Sequence, residues 1–145
     1  MKIFIGSDHT ALEMKSAIND FLKNLGHEVV DLGPENETAV DYPDFGFMVG
    51  EAVDKNKDSL GIVICGSGIG ISIAANKVKN IRAALCYEKE AAELARKHNN
   101  ANVLALGARF IAVHKALTLV DTFINTEFEG DRHEERVRKL CDYSG

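Results

Sequence analysis

The stretch Leu60-Gly61-Ile62-Val63-Ile64-Cys65-Gly66-Ser67-Gly68-Ile69-Gly70-Ile71-Ser72-Ile73-Ala74-Ala75-Asn76-Lys77 constrains this chain more than any other. Its opening run does not alternate with polar residues, which predicts a strand covered on both faces. Gly66, Gly68 and Gly70 follow, and from Ile69 the spacing predicts a helix. A strand, a glycine turn and a helix start, in that order, build an anion nest. The glycines let the backbone turn tightly and expose N–H groups, and the helix N-terminus adds partial positive charge. The loop is not a Walker A sequence, because the Gly-Lys-Ser/Thr ending is absent, and Ile71 stands where a dinucleotide fingerprint needs its third glycine. Glu88, past the next strand, keeps a ribose-binding reading open. Cys65 sets the loop apart, since helix and backbone dipoles favour a thiolate there, able to act as base or nucleophile. Alone, such a cysteine reads as a small apolar residue closing a buried strand; the adjoining glycine nest tips the reading towards chemistry. Cys86 and Cys141 lack that neighbourhood and read as structural.

Similar aliphatic runs recur at 2–6, 28–32, 82–86 and 102–106, each separated from the next by helical periodicity. This β-α-β-α repetition predicts a Rossmann-like three-layer α/β/α sandwich with a five-stranded parallel sheet. A chain of 145 residues fits one domain with a real core. Thr10-Ala11-Leu12-Glu13 has the pattern of a capping box opening the first helix, which Gly26 stops. Pro43 suits the start of a second helix towards Asn56, placing Asp41 and Tyr42 on a loop. Further helices are predicted over 69–78, 88–98 and 112–125, with an extra charged C-terminal helix over 132–141.

Charge and cysteine usage exclude several classes. With 17 Lys+Arg against 22 Asp+Glu, a net of −5, the chain lacks the basic footprint of a general nucleic-acid binder. Three cysteines without CxxC or zinc spacing fit a reducing compartment and argue against a metal site. The apolar run after Met1 is too short for a signal-peptide core, and no stretch approaches the ~20 residues that span a bilayer. A soluble, cytoplasmic protein without membrane partners is expected.

Open parallel sheets bind ligands outside the carboxyl ends of their strands. Asp8 and His9 follow the first strand there, although an Asp at that place more often ties down a turn. His98 ends the fourth predicted helix and Asn99 follows it; a dipole-stabilising histidine is the plainer reading. Their convergence with Cys65 on one rim would suit general acid–base work. Arg132 and Arg136, four residues apart, share a helix face and can close on one phosphate, or merely decorate a solvated helix. Arg109, past the fifth strand, is a third cation at the rim.

Taken together, these segments resemble the ribose-5-phosphate isomerase B family, the RpiB/LacAB sugar-phosphate isomerases, over nearly the whole chain. The landmarks are Gly6-Ser7-Asp8-His9, Asp41-Tyr42-Pro43, the long Cys65-to-Lys77 segment, His98-Asn99, Asn102-Val103-Leu104-Ala105 and Gly130-Asp131-Arg132-His133. The resemblance implies interconversion of ribose 5-phosphate and ribulose 5-phosphate through a cis-enediolate, as in the pentose phosphate pathway, without metal or organic cofactor. It implies Cys65 as the proton-transferring base, Ser67 as a hydroxyl on the sugar oxygens, and His98 opening the furanose with Asp8 assisting. Asn99 orients an oxygen, His9, Arg132, Arg136 and Arg109 bind phosphate, and Tyr42 forms a pocket wall. The backbone of Gly66, Gly68, Ile69 and Gly70 meets the enediolate. Ile71, where related enzymes of another type carry a glutamate, indicates the cysteine type. The site is expected between two subunits of a homodimer, or of a tetramer built from dimers, with residues 126–145 embracing the partner. This chain departs from the family in Thr10-Ala11, in Ser67 for a frequent threonine, and in Asp131 for a common glycine beside Arg132.

Two other readings stay open at this level. A six-carbon phosphate, such as allose 6-phosphate or galactose 6-phosphate, suits the same chemistry. A non-catalytic nucleotide-binding module could use the same nest, although only two strands follow the glycine loop.

Overall fold

Runs such as Gly61-Ile62-Val63-Ile64 offer no polar face to solvent, so they are stable only when helices cover both sides of the sheet they form. The computed structural model, which describes residues 1–36 and 38–143, has this arrangement. The strands β1 (Lys2–Ser7), β2 (Glu28–Asp31), β3 (Leu60–Cys65), β4 (Ala83–Leu85) and β5 (Val103–Gly107) form one parallel sheet in the order β2-β1-β3-β5-β4. The central strands β3 and β5 are buried throughout, whereas the edge strands β2 and β4 are short and only partly covered, which limits pairing with other chains.

The helices are α1 (Leu12–Asn24), α2 (Tyr42–Lys55), α3 (Ile69–Asn76), α4 (Lys89–Asn99), α5 (Val113–Asn125) and α6 (Arg132–Asp142). One face of the sheet holds α1, α4 and α5, with Ile18, Leu22, Leu119 and Phe123 fully buried against Ile3, Ile5, Ile62 and Leu104. The other holds α2 and α3, where Val49, Ile71 and Ala75 pack on Val63 and Ala105. Two layers of helices around an aliphatic sheet are the predicted sandwich. None of the described helices is long and apolar enough to cross a membrane.

Element boundaries move by one to three residues, and one cap differs in kind. The chain leaves β1 through a 3-10 turn, His9–Ala11, and Asp8 caps it: Asp8 Oδ1 accepts from Thr10 N at 3.0 Å and from the Thr10 hydroxyl at 2.6 Å. That bond engages the Thr10 hydroxyl, so the expected capping box is replaced by an aspartate two residues earlier. Tyr42 is the first residue of α2 rather than a loop residue.

Lys15, only 4% exposed, ties the α1 side of the sheet to the connection between β2 and α2. Its Nζ donates to Asp31 Oδ1 at 2.8 Å and to the Pro34 carbonyl at 2.6 Å. Burial alone would raise the Asp31 carboxyl; the bonds from Lys15, the Gly33 N–H and Asn19 outweigh it and hold the group below its ordinary value. A depressed folded-state value means the contribution is complete above the unfolded carboxylate value, about 3.9, and is lost as pH falls through the folded one. Lys15→Met is expected to cost about 2 kcal/mol at pH 7, since Asp31 loses its partner while remaining partly wet. Urea unfolding should show the gap between variant and parent closing as Asp31 protonates in acid.

Candidate active site

The sheet order places the first connection after β1 and the glycine loop after β3 side by side, at the point where successive connections leave on opposite faces. The Asp8 N–H donates to the Ile64 carbonyl at 3.0 Å, so the end of β1 is stitched to the end of β3. A cavity of about 490 Å³ opens there, lined by Asp8, Tyr42, Cys65, Gly66, Ser67, Ile69, Gly70, Ile73 and Arg109. Larger clefts, about 660 and 530 Å³, lie at the amino ends of the strands, lined by residues such as Asn80, Arg82 and Cys141. Neither is lined by Cys65 or by the glycine loop.

Cys65 is 4% exposed, yet it lines the carboxyl-end cavity rather than being walled off from it. Its Sγ accepts from the Gly68 N–H at 3.2 Å. Gly68 adopts φ +81°, which L side chains rarely take, and a Cβ there would also strike the Leu106 backbone. The turn therefore requires glycine. The Ser67 hydroxyl accepts from Ile69 N at 3.1 Å, leaving its own proton to donate. Among the described residues, the N–H groups of Gly66, Ser67 and Gly70 meet no acceptor, so the loop presents free donors at the mouth of the cavity.

The Arg109 side chain lies across Gly66, where a Cβ would come within 3.1 Å of Nε, and the backbone N–H of Arg109 donates to the Gly66 carbonyl at 2.9 Å. Tyr42 covers Gly70 so closely that a Cβ on Gly70 would overlap the phenol ring. His9 accepts from Val40 N through Nδ1 at 3.1 Å. An accepting Nδ1 carries no proton, so Nε2 holds the ring N–H and is a donor.

The other predicted residues lie elsewhere in the single chain. Because β4 and β5 run parallel, α4 must travel back from the carboxyl to the amino ends of the strands. Its eleven residues span roughly 16 Å at the helical rise. His98 and Asn99, at its far end, therefore sit on the rim opposite Cys65, which corrects the expectation that His98 and Cys65 share one rim within a chain. There the His98 ring stacks on His133, with centroids 4.2 Å apart and planes at 13°, and His98 Nε2 lies 3.7 Å from Glu129 Oε1. His98, Glu129 and His133 bring possible ligand atoms within 4.8 Å of one another. Nearly parallel rings direct their in-plane lone pairs side by side, whereas a metal needs them to converge. Burial, then the neighbouring His98 and Arg132, lower the His133 imidazole below its ordinary value, in keeping with a neutral ring in the stack.

Arg132 and Arg136 are both exposed on one face of α6, which packs on α4. Asp131 offers no side-chain cap to α6 and takes φ +49°, a conformation glycine adopts at less cost. Asp131→Gly is expected to raise the unfolding midpoint, by about 1 kcal/mol in stability. Ser144 and Gly145, the end of the segment expected to embrace a partner, lie outside the described residues.

Three contributors escaped the sequence reading. Ile73 joins Ile69 on the cavity wall one turn along α3, a spacing visible in advance. Gly107 leaves room for the Ser67 carbonyl, which a Cβ would strike, and Tyr87 donates to that same carbonyl at 2.5 Å. Burial pushes the Cys86 thiol up to about 11, consistent with a structural role.

A thiol beside free amides at the switch point of an α/β sandwich pairs a candidate base with donors for a developing oxyanion, the parts of an enzyme site, and the known proteins narrow the class. The model of the Ribose/Galactose Isomerase family matches residues 3–140, and the chain belongs to that family. It is 50% identical to the probable ribose-5-phosphate isomerase B of Mycoplasma genitalium, over 97% of this chain and 94% of the relative. It is 42% identical to ribose-5-phosphate isomerase B of Escherichia coli, over 96% and 93%. Among solved structures, the Mycoplasma genitalium enzyme with bound ribulose-5-phosphate superposes with a TM-score of 0.95 at 49% identity, covering 98% of this chain and 95% of that one. The Clostridium thermocellum enzyme gives 0.95 at 53%, covering 98% and 96%.

Proposed function

We propose that the chain interconverts ribose 5-phosphate and ribulose 5-phosphate, with Cys65 as the base. The observation that carries this reading is the Cys65 thiol, buried at the floor of the cavity with the Gly68 N–H on its sulfur and unpaired amides beside it. The thiolate takes the proton from C2 of the open aldose, and the electron pair moves through C1 to the aldehyde oxygen, giving a cis-enediolate. The free N–H groups of Gly66, Ser67 and Gly70 stabilise that oxygen. Ser67 passes the C2 hydroxyl proton across to the C1 oxygen. The thiol then returns its proton to C1 as the C2 carbonyl forms, so atoms and charge balance. Nothing in this sequence of steps calls for a metal or organic cofactor.

The furanose must open first, a role proposed for His98 with Asp8. Asp8 commits Oδ1 to Thr10, which leaves Oδ2 for the sugar. Because α4 takes His98 and Asn99 to the opposite rim, they reach a cavity only from a second copy, as do Arg132 and Arg136. The site is accordingly proposed to be completed between two subunits of a homodimer, alone or within a tetramer. Exposed apolar side chains around the cavity support this: Tyr42 is 41%, Ile69 50% and Ile73 56% exposed. His9 through Nε2, with Arg109, Arg132 and Arg136, is proposed to take the phosphate, and Asn99 and Tyr42 to frame the sugar. Residues 1–145 act as one cytoplasmic isomerase domain in this reading.

Turnover of ribose 5-phosphate, allose 6-phosphate and galactose 6-phosphate by the purified protein tests it. A preference of at least tenfold in kcat/KM for the five-carbon sugar is expected, and a six-carbon preference of that size would overturn the substrate assignment.

A further inference from the structure

We infer that Tyr87 is a positioning residue for the Cys65 thiol, acting through the single peptide unit that joins Ser67 to Gly68. The Tyr87 hydroxyl donates to the Ser67 carbonyl at 2.5 Å, and the N–H on the other side of that same peptide, that of Gly68, donates to Cys65 Sγ at 3.2 Å. In a planar trans peptide the carbonyl and the N–H point in opposite directions. Holding the oxygen therefore aims the hydrogen.

The unit needs a hold. Gly68, at φ +81°, has the conformational freedom that makes a flip of the preceding peptide cheap. A flip would take the N–H away from sulfur and turn a carbonyl oxygen towards it, replacing a donor by a repelling acceptor. Gly107 leaves space for the Ser67 carbonyl, and Tyr87 supplies its donor from the end of β4. A donor on the carbonyl also polarises the amide, strengthening its N–H towards a negative sulfur. The ring is braced edge-on by Phe110, with centroids 6.0 Å apart at 81°. Tyr87 does not line the cavity, so its effect runs through the backbone rather than through substrate.

This inference deepens the proposed role of Cys65, and its kinetic part rests on that role. Tyr87→Phe keeps the ring and removes the hydroxyl. It is expected to lower kcat about tenfold with KM little changed, and to slow iodoacetamide alkylation of Cys65 at pH 7 by about fivefold. The pH midpoint of that alkylation, followed on the Cys65 peptide by mass spectrometry, should move upward. Phe110→Leu removes the brace but keeps the hydroxyl, and should leave the alkylation midpoint near that of the parent. An unchanged alkylation profile in Tyr87→Phe would overturn the inference, as would an equal shift in Phe110→Leu, which would assign the effect to packing. Alkylation reads the thiol without turnover. An inactive Cys65→Ala with an unaltered Tyr87→Phe would thus remove Tyr87 alone, whereas an active Cys65→Ala would remove the base assignment.

Discussion

Cys65→Ala should lose turnover of ribose 5-phosphate by roughly three to four orders of magnitude, the upper range for removing a positioned general base. The fold should survive, because the change removes one sulfur from the margin of the α2/α3 core and leaves the β3–β5 ladder intact. A stability loss of about 1 kcal/mol is expected for that truncation, readable as a small fall in the urea midpoint with unchanged slope. Cys65→Ser separates charge from shape: it is nearly isosteric, but a hydroxyl is a far weaker acid than a thiol and stays protonated near neutrality, so no anion is available to take the C2 proton and the variant should be almost as inactive. The Gly66–Gly70 amides remain in both variants, so a residue of catalysis above the uncatalysed rate is expected from oxyanion stabilisation alone. Steady-state kinetics alongside urea unfolding distinguish loss of the base from loss of the fold.

The second large effect concerns the opposite rim. His98 ends a helix that runs away from Cys65, so a site using both must draw them from different copies. Cys65→Ala and His98→Ala should each be nearly inactive alone. When equal amounts are mixed and allowed to exchange subunits, about half the dimers are mixed, and in a two-fold dimer each of these has one intact site. Activity should therefore return to about a quarter of that of the parent. Mixed dimers that form, as affinity tags can show, but remain inactive would mean that His98 does not serve Cys65 across the interface.

How far such features can be read from the chain depends on their range. The β3, glycine-loop and α3 segment was legible because one stretch contains a buried strand, a residue that must tolerate positive φ, and a helix start. The sandwich was legible for the same reason, repeated along the chain. The placement of His98 was also present in principle, since any helix joining neighbouring parallel strands must return to their amino ends; attention to residue type alone obscured it. Asp8 displaced the expected cap because a 3-10 turn intervenes before α1, a detail that Thr10-Ala11-Leu12-Glu13 does not disclose. Tyr87 and Gly107 were beyond local reading altogether, because they meet Ser67 across 20 and 40 residues of sequence and only the sheet order brings them together.

The most direct measurement is a crystal structure of Cys65→Ala with ribose 5-phosphate. C1 and C2 of the sugar are expected against the vacated thiol position, with the phosphate within reach of His9 Nε2 and of the arginines of a second copy. A sugar phosphate seated instead in the clefts at the amino ends of the strands, far from residue 65, would contradict proton transfer by this thiol.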